Sequence, residues 1–326
     1  MQLDLNFVRQ HFSAFTGDTR VEGHFFDSAA GSFPCLGTVE GLDRFYRHHK
    51  VQPGNPFAVS ELAASEMAYA KQRWAEALGV KENEVGFGPS TTQNIYVLAN
   101  AFRETWSSGD EIIVTNQDHE SNIGAMTRAA KAAGAEVKIW SVDPETGFLA
   151  KSDLEKLLNA NTRLVCFPHS SNIVGQKNNA KEIIELIHNC GSLVLVDGVS
   201  YVPHEIPDIG DLGADIYVFS LYKVYSVHQG LLVMREAVVD SLPKQGHYFK
   251  DSIDVSERFI PAGPDHAQIA ASAPVLEYIE TLAAHHGGPV QDLRSACDFV
   301  SSLWRVHEIA LVKPLWIFSN QRIMCA

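Results

Sequence analysis

Lys223 stands in the run Ser220-Leu221-Tyr222-Lys223-Val224-Tyr225, directly after the apolar stretch 216–219. A lysine among aromatic and aliphatic neighbours at a strand end is disfavoured as an ammonium. Its free amine is a nucleophile that condenses with carbonyl compounds. The bland alternative is a lysine whose stem lies on apolar surface while its charge reaches solvent. Asp197 closes another apolar stretch, 193–196. A carboxylate there needs a cation or hydrogen bonds, and helix capping would also satisfy it. Ser90-Thr91-Thr92-Gln93-Asn94 runs from Pro89 straight into a helical pattern. Free backbone N–H groups and hydroxyls at a helix start suit a phosphate, although Ser and Thr are equally the ordinary caps of helices. His119 lies in the loop that follows 111–115, either as a working aromatic base or as a surface residue. The polar segment Pro168-His169-Ser170-Ser171-Asn172-Ile173-Val174-Gly175 follows 163–167 and is otherwise a plain turn.

These residues share one feature, which is that each follows a strand pattern. Short β-rich apolar runs occur at 84–88, 111–115, 136–140, 163–167, 193–196, 216–219 and 230–234. Helical spacing fills the intervals 92–103, 121–133, 152–159 and 180–189. In the last of these, Ile183, Ile184 and Ile187 form one stripe and Gly191 is the expected C-cap. Uninterrupted apolar strands alternating with helices predict an α/β fold with a mostly parallel seven-stranded sheet covered on both faces. Ligands of such sheets bind beyond the carboxyl ends of the strands. The alternation places residues 21–248 in a large domain, with 1–20 and 249–326 forming a small one.

Composition narrows the partners. The 326 residues carry a formal charge of −13, with 45% hydrophobic and 20% charged residues. An acidic balance argues against nucleic acid and anionic membranes, which require a basic face. No run reaches the roughly 18 apolar residues of a membrane span. Asp4, Arg9 and His11 interrupt any signal-like start, and five scattered cysteines without CxxC spacing suggest neither disulfides nor zinc. A reducing cytoplasm is expected.

Taken together, a phosphate seat, an aromatic ring, a carboxylate and a lysine at strand ends of one sheet match the needs of pyridoxal 5′-phosphate (PLP). In that arrangement the amine binds the aldehyde, and the carboxylate keeps the ring nitrogen protonated so that the ring can accept electrons from a substrate Cα.

The same segments resemble the class V aminotransferase superfamily of fold-type I PLP enzymes, in its cysteine-desulfurase-like branch, over about residues 25–278. Phe26-Asp27-Ser28-Ala29-Ala30-Gly31 resembles that family's D-N-A-A start, and Ser90-Thr91-Thr92-Gln93-Asn94-Ile95 its G-T-T-E-x-I phosphate loop. His119-Glu120-Ser121-Asn122 resembles H-H-A-N, and Ser171-Asn172-Ile173-Val174-Gly175 resembles S-N-x-x-G. Asp197-Gly198-Val199-Ser200 resembles D-G-A-Q, and Ser220-Leu221-Tyr222-Lys223 resembles S-x-H-K. The resemblance implies that Lys223 forms the Schiff base, Asp197 pairs with the pyridinium and His119 stacks on the ring. It further implies that Asn172 contacts the ring oxygen, and that Thr91, Thr92 and Ser220 hold the phosphate. Ser200 occupies the place of the usual Gln, which tunes the ring oxygen.

Departures bear on the reaction. Tyr222 replaces the usual His, and Ala262-Gly263-Pro264 replaces A-G-T, whose Thr reaches a neighbouring subunit's phosphate. A homodimer is implied, without that hydroxyl. In the family the small domain carries an Arg that grips the substrate carboxylate and, in desulfurases, a sulfur-accepting Cys. Residues 311–326 match neither, which implies a truncated small domain in which Cys325 makes a poor acceptor. The expected function is that of a PLP-dependent enzyme acting on an amino acid by desulfuration, transamination, elimination or racemisation. The competing expectation is a degenerate, non-catalytic relative that binds the cofactor weakly or not at all.

Overall fold

The computed structural model describes residues 2–19, 21–249 and 252–323. Seven strands form one sheet: β1 (Val85–Gly88), β2 (Glu111–Thr115), β3 (Glu136–Trp140), β4 (Thr162–Pro168), β5 (Leu193–Asp197), β6 (Ile216–Ser220) and β7 (Gly230–Met234). Their order is β1-β7-β6-β5-β4-β2-β3. Strands β3, β2, β4, β5 and β6 pair in parallel, and only β7 runs antiparallel to its neighbours β6 and β1. The sheet is therefore mostly parallel, as the unbroken apolar runs predict.

Burial on both faces is visible residue by residue. Ile113, Val165, Phe167, Val194, Val196, Tyr217 and Phe219 belong to one core cluster. The alternate residues Ile112, Val114, Leu164, Cys166, Leu195, Ile216 and Val218 belong to another. Successive side chains of a strand point to opposite faces, so a strand apolar at every position needs a cover on each side.

The helices supply both covers. Before the sheet come α1 (Leu5–Gln10), α2 (Leu36–His48) and α3 (Ala58–Leu78). Among the strands lie α4 (Thr91–Arg103), α5 (Glu120–Ala133), α6 (Lys151–Leu157), α7 (Ala180–His188) and α8 (Ile209–Leu212). After β7 come α9 (Glu236–Ser241), α10 (Val255–Arg258), α11 (His266–Ala270), α12 (Pro274–His285) and α13 (Leu293–Ile323). Trp74 and Leu78 of α3, the Ile183/Ile184/Ile187 stripe of α7, Leu276 and Ile279 of α12 and Trp304 of α13 cover the first face. Leu98 and Phe102 of α4 with Met126 and Ala129 of α5 cover the second. Each fully buried side chain of this size stabilises the fold by roughly 1.5–3 kcal/mol.

Two element ends differ from the sequence reading. Helix α6 stops at Leu157, because Asn159 turns its amide to Glu111 Oε2 (2.6 Å) and its carbonyl oxygen to the Asn161 N–H (2.9 Å). Such local side-chain bonds compete with the helical ladder. Helix α7 is capped by Asn189, and Gly191 takes the left-handed conformation (φ 75°) two residues later.

The N-terminal residues meet the end of α12: the Asp4 N–H donates to His286 Nε2 (3.0 Å), and Phe7 stacks on His285 at 3.7 Å. Among the described residues no helix is long and apolar enough to cross a membrane.

Candidate active site

The carboxyl ends of β1, β4, β5 and β6 and the start of β7 share one edge of the sheet. The registers Gly88↔Gly230, Ser220↔Gly230 and Pro168↔Asp197 fix this. A cleft opens there, and Thr91, Thr92, His119, Asn172, Asp197, Ser200, Ser220 and Lys223 all line it. Chain positions from 91 to 223 thus converge on one cavity. Asp118, Ser121, Ser170, Val199 and Tyr222 line it as well.

One end of the cleft has the chemistry an anion would need. Ser90 caps α4 by accepting the Gln93 N–H (3.1 Å), and the Thr91 and Thr92 N–H groups before it have no intrahelical carbonyl to reach in this 13-residue helix. Buried Thr91 Oγ1 lies 2.8 Å from buried Ser220 Oγ, so hydroxyls from α4 and β6 meet at the helix start. The seat depends on Gly230, where a Cβ would overlap the Thr91 nitrogen and the Ser90 carbonyl carbon. Asn94 locks the approach by donating to the Gly230 carbonyl (3.0 Å).

Asp197 sits at the other side, buried, with Oδ1 accepting the Val199 N–H at 2.8 Å. Its carbonyl accepts the His169 N–H (2.8 Å), which ties the Asn172 loop to the end of β5. His169 itself is buried, stacked on Tyr201 at 3.4 Å and paired through Nδ1 with the Tyr217 hydroxyl (2.9 Å). Burial pushes its pKa down to about 3, so it is a neutral structural support at physiological pH. Ser171 fastens the same loop, donating from Oγ to the Gln117 carbonyl (3.3 Å) and from N–H to the Gln176 carbonyl (2.9 Å). Asn172 projects from this pinned turn and is exposed.

His119 is the N-cap of α5, and its Nδ1 accepts the Ser121 N–H (3.1 Å). That bond assigns the neutral ring's proton to Nε2 and holds the exposed imidazole at the cleft. Lys223 ends a short 3-10 turn, Leu221–Lys223, that continues from β6. It is half-buried, and desolvation lowers its pKa while Asp197 pulls the other way, so a larger share of reactive amine is present than on a surface lysine. Tyr222 stacks on His228 (4.7 Å) and backs the turn.

Asp118 went unassigned in the sequence, yet it is buried and lines the cleft with Asp197. Burial raises the pKa of both carboxylates. The Asp197 charge raises Asp118 further, because two buried carboxylates cannot easily both ionise. Asp118 accepts the His119 N–H (2.7 Å) and the Asn122 amide. The fold therefore holds protons that the unfolded chain releases above about pH 4. The stability of the ligand-free protein should fall as pH rises through the raised values, by up to about 1.4 kcal/mol per pH unit for each proton retained. Asp118→Asn is expected to flatten that fall above about pH 4, since the amide cannot ionise. The buried Asn122 Oδ1, which has no hydrogen-bond partner among the described residues, can rotate to accept from the new amide. Urea unfolding of both proteins across this range checks it, and an unchanged slope would count against the coupled pair.

These residues fit PLP. The helix start with its added hydroxyls matches a phosphate, a buried carboxylate that makes no salt bridge among the described residues faces the cleft, and a desolvated amine lines the same cleft. Cys325 lies outside the described residues.

A family model for class-V aminotransferases matches residues 24–285. The aminotransferase-like protein FGM3 of Gibberella zeae is 35% identical over 261 residues, covering 78% of this chain and 64% of that protein. The cysteine desulfurase-like protein ustD of Aspergillus flavus is 28% identical over 285 residues, covering 85% of this chain and 64% of its own. The chain thus spans somewhat under two thirds of each fungal relative. The apo cysteine desulfurase of Thermococcus onnurineus NA1 superposes with a TM-score of 0.78 at 24% identity, over 87% of this chain and 72% of that one. That superposition establishes a shared fold, the fold-type I architecture expected from the strand pattern. With most of its length matched by the family model, the chain belongs to the class-V aminotransferase family.

Proposed function

We propose that this protein is a PLP-dependent enzyme that acts on an amino acid, with Lys223 as the point of covalent attachment. The observation that supports it most is the convergence of Lys223, Asp197 and His119 with the Thr91–Thr92–Ser220 anion seat in one cleft. When bound, the cofactor supplies an electron sink for the substrate's Cα. Thr91 and Thr92, through N–H groups and hydroxyls, and Ser220 bind the phosphate. Asp197 holds a proton at the ring nitrogen, and burial strengthens that charge-assisted bond. His119 would stack on the cofactor ring, and Asn172 and Ser200 would contact its ring oxygen. Lys223 Nζ would be the attachment point, and as a free amine it would serve as the base for the Cα proton.

The class of the relatives supports a desulfurase- or aminotransferase-type reaction over a non-catalytic role. The test is the visible spectrum of the purified protein with PLP, followed by product analysis with L-cysteine and L-alanine. With dithiothreitol present as the two-electron reductant and a 2-oxo acid as amino acceptor, sulfide with alanine from cysteine, or a keto acid from either, is expected. Absence of both a visible band and turnover overturns the reading. Any desulfuration should survive Cys325→Ser, because the residues around Cys325 match no sulfur-acceptor segment of the family. A persulfide mapped to Cys325 together with loss of activity would contradict this.

The protein is further proposed to be a homodimer in a reducing compartment such as the cytoplasm. Among the described residues Cys35, Cys166, Cys190 and Cys297 are free, which suits that compartment. The loop Ala262-Gly263-Pro264, at the family's intersubunit position, borders a cavity of about 670 Å³ with Lys71 and His247. Sedimentation should give a dimer, and a monomer at every concentration would refute it.

A further inference from the structure

The turn that carries Lys223 is strained and clamped. Tyr225, two residues on, has φ 55° and is the non-glycine residue with positive φ among those described. A side chain in that region is sterically disfavoured, so surrounding contacts must hold it there. Its ring is wedged edge-on against Phe12 (5.7 Å) and Trp304 (5.8 Å), and its hydroxyl donates to the Pro203 carbonyl (3.2 Å).

The backbone of the turn is held by a segment 190 residues away in sequence. The Ser32 N–H and the Ser32 hydroxyl both donate to the Tyr222 carbonyl, each at 3.0 Å. The Tyr225 N–H donates to the same hydroxyl oxygen at 2.9 Å, and the Cys35 N–H donates to the Tyr225 carbonyl at 2.7 Å. One hydroxyl therefore bridges the residues on either side of Lys223–Val224. Ser32, Tyr225 and Lys223 also line one wall of the cavity of about 690 Å³ that adjoins the cleft through Asn172 and Ser200.

We propose that Ser32 is a positioning residue for Lys223, its hydroxyl fixing the strained turn so that Nζ is presented to the cofactor aldehyde. This rests on the assignment of Lys223 as the attachment point. Without the hydroxyl, Tyr222 and Tyr225 lose their shared tie. Tyr225 can then relax toward negative φ, and the lysine between them swings away. Misplacement of a reacting group by about 1 Å can cost on the order of a hundredfold in rate, and the half-buried site tempers this to an expected loss of about tenfold.

The test measures the rate at which Lys223 becomes borohydride-trappable after PLP is added to cofactor-free protein, in wild type, Ser32→Ala and Ser32→Thr. Acetylation of Lys223 in the cofactor-free proteins is read by peptide mass spectrometry, with Lys177 as internal control, and melting temperatures are recorded alongside. Attachment about tenfold slower in Ser32→Ala, with altered acetylation confined to Lys223 and recovery in Ser32→Thr, supports the proposal. Wild-type rates in Ser32→Ala, or equal slowing in the Ala and Thr variants, overturn it. Wild-type protein that traps no cofactor at Lys223 overturns the attachment assignment instead, so the two failures are separate.

Discussion

Lys223→Ala protein is expected to show no borohydride-stable attachment of PLP at residue 223, and turnover of any amino-acid substrate at least about a thousandfold below wild type. The physical basis is a contrast among the lysines. Lys223 is half-buried, and desolvation favours its free amine. Lys177 is exposed, paired with Glu205 at 3.1 Å and lying over the Tyr201 ring. Lys181 is exposed and bonded to both oxygens of Asp211, which raises its pKa and keeps it an ammonium. Neither competitor lines the cleft beside Asp197 and the anion seat. Non-covalent PLP should still bind the variant, because the Thr91–Ser220 seat is untouched. Reduction followed by peptide mapping checks the result. Cofactor mapped to Lys177 or Lys181 in the wild type would show that the amine had been chosen wrongly.

Asp197→Ala is the second large effect. The variant should retain measurable PLP binding through the phosphate seat and lose roughly 10²–10⁴-fold in turnover. The carboxylate is the buried group at the end of β5 that can keep a proton on the ring nitrogen. Alanine cannot, and an unprotonated pyridine is a weak electron sink. The substitution also orphans the Val199 N–H, which now donates to Asp197 Oδ1, at a cost of about 1–3 kcal/mol in stability. Part of that loss is offset at neutral pH, since Asp118 no longer feels a second buried carboxylate. Cofactor titration and turnover measured on the same preparation separate binding from chemistry. Near-normal turnover would remove Asp197 from its role.

Legibility in the sequence followed the range of the interactions involved. Asp197, Ser220 and Lys223 could be picked out because each stands at the end of an unbroken apolar strand, and the strand's own residues announce that end. Thr91 and Thr92 could be picked out because a cap and the helix it starts are contiguous in the chain. Helices α2 and α3 lay upstream of the alternation and were not assigned. Yet Ala58–Leu78 is rich in strong helix formers and ends at Gly79 in the left-handed conformation, a signal that was present.

The amino-acid sequence by itself determined the α/β class, the mostly parallel sheet and the order of the cofactor-type motifs, because hydrophobic period and turn chemistry are local. Only the tertiary structure decided which strand ends share an edge. It set Asp118 against Asp197, so that the two carboxylates share a burial penalty that neither segment reveals alone. It also laid Ser32 across the Lys223 turn, a contact spanning 190 residues that exists only once α2, α12, α13 and the sheet have packed. Such pairings come from long-range packing, where the burial of apolar faces places polar groups together irrespective of their distance along the chain.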